Sequence, residues 1–214
     1  MLKKVGNFIF YKSLFRFREY NKPDLSKGKY ILCPNHTSDF DGPVFWSAHE
    51  NVRIMAKKEC FSNPILGSFL TSVNVVPVDR QTNPMKALKE ATKYLASDGD
   101  KVFLMFPQGT ISDINKNKLS RIKPGAFFIA EHSQAQIIPV FIEQPRVFRR
   151  GRIVYGKSFT VEKEKEKHNF EGRYAKYRQL WQDEILRLQQ EAEELEERPV
   201  RVLKLKPKHR NNNE

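Results

Sequence analysis

Ile31-Leu32-Cys33-Pro34-Asn35-His36-Thr37-Ser38-Asp39-Phe40-Asp41-Gly42-Pro43 is the stretch that decides how this chain is read. The apolar run over residues 30–33 has the character of a buried strand. It halts at Pro34, and polar groups then crowd into one turn. His36 is the natural general base there, because imidazole is the side chain that exchanges a proton near neutral pH. Asp41 lies five residues on, and a carboxylate can hold an imidazole in one tautomer and stabilise the imidazolium formed on proton uptake. Five residues along a regular helix would turn the two side chains apart. A helix that starts between them, near residues 38–43, removes that objection. Ser38 and Asp41 also fit a capping box in its Asp form, with Pro43 in the first turn. On this stretch alone, catalysis and capping both stand.

Outward from that turn, the pattern alternates. Residues 52–56, 73–78, 101–106 and 137–142 read as strands, and 152–161 as one or two more. Between them, residues 44–49, 61–70, 84–95 and 126–132 read as helices. The third of these carries Met85, Leu88, Ala91, Thr92 and Leu95 at helical spacing, and Asp98-Gly99 ends it. Strands alternating with helices predict an α/β fold: a single domain with a mostly parallel central sheet flanked by helices. In such sheets, sites collect beyond the carboxyl ends of strands. Three polar turns fall at such ends: Asn35-His36, Asp79-Arg80 and residues 107–110.

The flanks differ from this core. Residues 5–20 place Phe8, Tyr11, Leu14 and Phe15 on one side of a helical wheel, with Lys12 and Arg16 away from it, as an interfacial amphipathic helix would. Packing on the protein's own core is the alternative. Residues 21–29, with Pro23 and Gly28, read as a connection. From Phe170 a long helix is expected, its stripe of Tyr174, Tyr177, Trp181, Ile185, Leu188, Ala192 and Leu195 packing on the domain or on a partner helix. Residues 198–210 are strongly basic, and 211–214 are expected to be disordered.

The 214 residues carry a net charge of +13, which calls for an anionic partner: a lipid surface, a phosphorylated substrate or nucleic acid. Cys33 and Cys60 are the only cysteines, so neither a disulfide framework nor a metal cluster is indicated, and a reducing compartment is. No apolar run reaches the roughly 20 residues that span a bilayer. Residues 5–11 are too short, and lack the small-residue site, for a cleaved signal peptide. For nucleic acid there is no aromatic RNA-binding motif, helix-turn-helix signature or zinc knuckle, so that partner is disfavoured.

Four motifs in order then resemble the glycerolipid acyltransferases, in particular the 1-acyl-sn-glycerol-3-phosphate (lysophosphatidic acid) acyltransferases. Asn35, His36 and Asp41 match the first. Val75-Val76-Pro77-Val78-Asp79-Arg80 matches the second. Phe106-Pro107-Gln108-Gly109-Thr110-Ile111-Ser112 matches the third, with Gln108 where the family has Glu and Ile111 where it has Arg. Ile138-Pro139-Val140 is the fourth, and Lys123-Pro124-Gly125-Ala126 resembles a further family segment.

The resemblance implies an enzyme with four parts. These are a basic membrane-docking segment (1–27), an acyltransferase domain (28–165), a C-terminal helix (166–197) and a basic tail (198–214). It implies transfer of a fatty acyl group from an acyl-CoA or acyl carrier protein thioester to the free hydroxyl of 1-acyl-glycerol-3-phosphate, giving phosphatidic acid, with no other cofactor and no metal. His36 would be the base and Asp41 its partner, with Asn35 and Ser38 supporting them. Arg80 would hold the acceptor phosphate, with Arg121 or Lys123 from the next loop making up for the arginine missing at 111. Gln108 would meet a glycerol hydroxyl, and amides near Gly109 and Thr110 would meet the oxyanion. The site would work at the cytoplasmic face of a membrane, on an anionic surface. The third-motif departures keep open another lysolipid or glycolipid acceptor, or a non-catalytic lipid-binding relative. Cys33, inside an apolar strand, reads as packing rather than as a nucleophile.

Overall fold

The computed structural model describes residues 17–49, 52–72, 75–78, 84–112, 121–144, 150–163 and 170–197. Seven strands form one sheet: β1 (Arg18–Tyr20), β2 (Lys29–Pro34), β3 (Val52–Lys57), β4 (Val76–Val78), β5 (Lys101–Leu104), β6 (Gln136–Glu143) and β7 (Arg152–Tyr155). Their order is β1-β7-β6-β2-β5-β3-β4. Every pairing is parallel except β6 with β7. Helices α1 (Asp41–Ala48), α2 (Pro64–Ser72), α3 (Pro84–Ala96) and α4 (Gly125–Ser133) fall where the sequence places them, within a few residues. The mostly parallel α/β expectation holds.

Because successive strand residues face opposite sides of a sheet, each strand feeds two cores. Ile31 and Cys33 face one core with Phe103, Ile137, Phe141 and Val154; Leu32 faces the other with Val102, Leu104, Ile138 and Val140. The first core is covered by α3, α4 and a long C-terminal helix, α6 (Ala175–Glu197), which the short α5 (Phe170–Arg173) precedes. The second is covered by α1 through Val44, Phe45 and Trp46. The C-terminal stripe therefore packs on the domain's own sheet. Tyr174, Tyr177, Trp181, Ile185, Leu188 and Ala192 are all buried.

The N-terminal flank departs from the helical expectation at residues 18–20. These form β1, an edge strand in parallel register with β7, starting at Arg18↔Arg152. Phe17 is buried, and its ring lies 2.4 Å from where a Cβ at position 151 would sit, so only glycine fits opposite it. Pairing with a strand distant in sequence, a context that the local amphipathic pattern does not register, sets the conformation of these three residues. Residues 1–16 and 198–214, which carry the rest of the expected docking segment and the basic tail, lie outside the described residues.

Helix α1 is fixed at both ends. At its C-terminus, the Nε2 of buried His49 lies 2.9 Å from the Tyr155 hydroxyl, which donates to Glu19 Oε1 at 2.6 Å. Since that hydroxyl spends its proton on Glu19, His49 Nε2 is the donor to it. The chain ties the far end of α1 to β7 and β1. At the near end stands Asp41, inside the site.

Candidate active site

Three adjacent central strands, β6, β2 and β5, deliver the site from their carboxyl ends. Strand β2 supplies Asn35 and His36, β5 leads into residues 105–112, and β6 leads into Gln144. Pairing of β2 with β6 runs to Pro34↔Val140, and the Asn35 N–H still reaches the Val140 carbonyl at 3.2 Å. The backbone then leaves the sheet, and the Asn35 side chain continues the pairing. Its Oδ1 accepts from Ile142 N–H at 2.7 Å and its Nδ2 donates to Ile142 C=O at 2.9 Å. Asn35 is fully buried. It is a clamp that sets where the turn begins.

His36 Nδ1 lies 2.9 Å from Asp41 Oδ2. The same oxygen accepts the Thr37 N–H at 2.7 Å and the Ser38 N–H at 2.9 Å. Asp41 Oδ1 accepts from the Thr37 hydroxyl at 3.2 Å and from Gln144 Nε2. Asp41 is fully buried and His36 retains 18% side-chain exposure. A buried carboxylate is tolerated only when its lone pairs are met, and here five donors meet them. The two readings left open on the sequence, catalysis and capping, therefore do not compete for Asp41. The carboxylate ties down the amides of the turn and the imidazole together. The capping box is half-formed, since Ser38 Oγ accepts from the Phe40 N–H at 3.2 Å rather than from Asp41. Asp41 is the first residue of α1, where a negative charge is favoured by the helix dipole.

With Nδ1 committed to Asp41, Nε2 is the ring nitrogen that could take up a proton. The segment after β5 grips His36 three ways. The Phe106 ring stacks on the imidazole with centroids 4.2 Å apart at 23°. Gln108 Oε1 accepts the His36 N–H at 2.8 Å, and the Ser112 N–H donates to the His36 carbonyl at 2.8 Å.

Gln108 is 1% exposed, and its Nε2 donates to Ser112 Oγ at 2.6 Å, so both ends of the amide are engaged within the protein. It holds the turn. The Gly109 N–H closes a turn onto Phe106 C=O at 3.0 Å. Gly109 has φ +68, and a Cβ there would lie 3.1 Å from Lys123 Nζ. The glycine thus permits both the left-handed turn and the passage of the Lys123 chain over it. That places an exposed cation beside the turn. Thr110 and Ile111 are exposed on the same turn. Arg80 lies outside the described residues.

Cys33 is fully buried, and burial pushes its thiol well above the ordinary range, so it holds no thiolate at working pH. Among the described residues, no cluster of three or more His, Cys, Asp or Glu could hold a metal. The sequence reading missed Gln144, Thr37 and the stacking role of Phe106. Only Gln144 had a legible signal, being a polar residue at the carboxyl end of a continuous apolar strand.

The acyltransferase family model matches residues 16–143. The chain is 32% identical over 145 residues to a 1-acyl-sn-glycerol-3-phosphate acyltransferase of Bacillus subtilis, covering 63% of this chain and 68% of that protein. It is 32% identical over 136 residues to an uncharacterized acyltransferase of Schizosaccharomyces pombe, covering 60% of this chain and 47% of that one. Several curated relatives are longer, and the chain spans under half of their length. In fold it is similar to the crystal structure of the 1-acyl-sn-glycerophosphate acyltransferase PlsC from Thermotoga maritima. The TM-score is 0.64 at 20% identity, over 93% of this chain and 80% of that one. A match over well over half of the chain, on the segment that builds the His36–Asp41 pair, shows that the chain belongs to the acyltransferase family that includes the 1-acyl-sn-glycerol-3-phosphate acyltransferases.

Proposed function

We propose that this protein transfers a fatty acyl group from a thioester donor to the free hydroxyl of 1-acyl-glycerol-3-phosphate, forming phosphatidic acid. The observation that carries the reading is the 2.9 Å contact of His36 Nδ1 with a buried, five-fold satisfied Asp41, which leaves Nε2 as the base. An alcohol attacks a thioester poorly while it keeps its proton. Nε2 takes that proton as the hydroxyl oxygen bonds to the carbonyl carbon, and Asp41 stabilises the imidazolium. The tetrahedral intermediate collapses, the C–S bond breaks, and the thiolate leaves and recovers the proton. An ester and a free thiol result, with no covalent acyl-enzyme. The Thr110 amide is the backbone donor proposed for the oxyanion. The acceptor phosphate is assigned to Arg80 and Lys123, since cations make charge-assisted bonds to phosphate oxygens.

The acceptor is an amphiphile, so the site works at an anionic membrane surface, proposed as the cytoplasmic face. Support comes from the net charge of +13 and from Phe40 and Ile111, 48% and 49% exposed on the segments that carry Asp41 and Gln108. Each basic residue near such a surface is worth about 1 kcal/mol. No described helix is long and apolar enough to cross a membrane. A second acceptor, another lysolipid or a glycolipid, is favoured by one observation: an exposed isoleucine at 111 offers a phosphate nothing.

The test is acyl transfer on anionic vesicles, from acyl-CoA and acyl carrier protein in turn, to lysophosphatidic acid and to neutral lysolipids. Transfer to lysophosphatidic acid alone, abolished by His36→Ala without loss of folding, is the expected result. Transfer only to another acceptor keeps the His36 chemistry and replaces the substrate. Surviving turnover in His36→Ala overturns the mechanism.

A further inference from the structure

On the reading of His36 as the base, we propose that Gln144 is a positioning residue that acts on His36 through Asp41. Its Nε2 donates to Asp41 Oδ1, while His36 and the Thr37 and Ser38 amides all sit on Oδ2. A carboxylate can only accept, so the amide nitrogen must be the end that faces it. The two oxygens are thus divided. Oδ2 carries the imidazole and the turn, while Oδ1 carries Gln144 and the Thr37 hydroxyl. Without the Oδ1 partners, the carboxylate could rotate about its Cβ–Cγ bond and draw Oδ2 away from Nδ1.

Gln144 is well placed to prevent that rotation, because the strand end before it is held from three sides. Two residues earlier, Ile142 is bridged by both ends of the Asn35 amide. One residue earlier, Glu143 is ion-paired to Arg152 on β7. Arg152, itself buried, also donates to the Ala192 carbonyl on α6. A donor on a rigid strand end costs less to hold in place than one on a free loop. Outer partners that orient the ligands of a metal are worth roughly 10- to 100-fold, and the low end of that scale is taken for a partner that orients a base.

The experiment is a double-mutant cycle between Gln144→Met and Asp41→Ala, with a spectroscopic readout beside it. Gln144→Met keeps the shape and removes the donor. It is expected to lower kcat about tenfold with KM unchanged. In the Asp41→Ala background it is expected to cost nothing further, because both oxygens it could bond to are gone. Gln144→Glu is the same size as the native residue yet sets a carboxylate against Asp41, so it is expected to cost more than Gln144→Met. A packing role predicts the reverse order. In protein labelled with 15N-histidine, the His36 Nδ1–H resonance, identified by its loss in His36→Ala, is expected to exchange faster in Gln144→Met. That readout needs no substrate, so it stands if the acceptor proves to be another lipid. Additive losses, a rise in KM alone, a Glu variant milder than Met, or an unchanged ring resonance would each overturn the proposal.

Discussion

Trp181 Nε1 donates a 2.8 Å hydrogen bond to the Cys33 carbonyl, 148 residues earlier in the chain. The C-terminal helix therefore grips the very strand end that presents His36 three residues later. Trp181 is fully buried and sits midway along the stripe that covers the sheet. Trp181→Phe keeps most of the ring and removes the donor. The expected loss is about 1 kcal/mol for the bond, with lost packing added. Urea unfolding should show a lower midpoint at an unchanged slope. Turnover per folded molecule should fall as well, since the strand end is less well held.

Gln108 stands where relatives in this family carry Glu, and the geometry explains why either residue serves. Gln108 Oε1 accepts the His36 N–H, and its Nε2 donates to Ser112 Oγ. A carboxylate would keep the first bond and reverse the second, with the Ser112 hydroxyl turning to donate. Gln108→Glu is therefore expected to fold and to keep turnover within a few fold. Gln108→Leu leaves a buried N–H and a hydroxyl unmet, at about 1–3 kcal/mol each. It should lower both thermal stability and kcat. Equal activity of the Glu and Leu variants would contradict this role.

These two cases show what was legible in the sequence. The alternation of strands and helices, the turn after β2 and the proximity of His36 to Asp41 could be read from periodicity and spacing, because each depends on neighbours in the chain. Gln108 was legible as a motif position but not as a clamp, since its partner His36 is 72 residues away. Gln144 reaches Asp41 across 103 residues, a contact that only the β6-β2 adjacency creates. The strand at Arg18–Tyr20 was missed for the same reason. Its partner β7 lies more than a hundred residues further along the chain, at Arg152–Tyr155, and the local amphipathic pattern carries no trace of it.

Cys33 provides a chemical check on the choice of nucleophile. Burial pushes its thiol well up, so the thiolate fraction stays negligible through mildly alkaline pH while the protein is folded. At pH 8, a thiol reagent should label Cys60, which is half-buried, well before Cys33. Cys33 should react only as the protein unfolds in denaturant. Turnover should survive Cys33→Ala, at some cost in stability from the small cavity. Loss of chemistry in a folded Cys33→Ala protein would revive a thiol mechanism.

Phe40 and Ile111 are the exposed apolar side chains on which the proposed lipid contact can be tested. Both are about half exposed, Phe40 immediately before Asp41 and Ile111 immediately before the residue whose N–H holds the His36 carbonyl. Large apolar side chains so placed are unfavourable in water, and covering them in an interface lowers the free energy by about 25 cal/mol for each Å². Replacing both with serine should weaken binding to anionic vesicles several-fold in a sedimentation assay. The basic charge is untouched, so the salt dependence of the remaining binding should keep its slope. Turnover on vesicles should fall in parallel, while turnover on an acceptor held below its aggregation threshold should change little. If vesicle binding is unchanged and turnover falls on both forms of substrate, these side chains hold the acyl chain rather than the bilayer, and the membrane would have to be engaged elsewhere on the molecule.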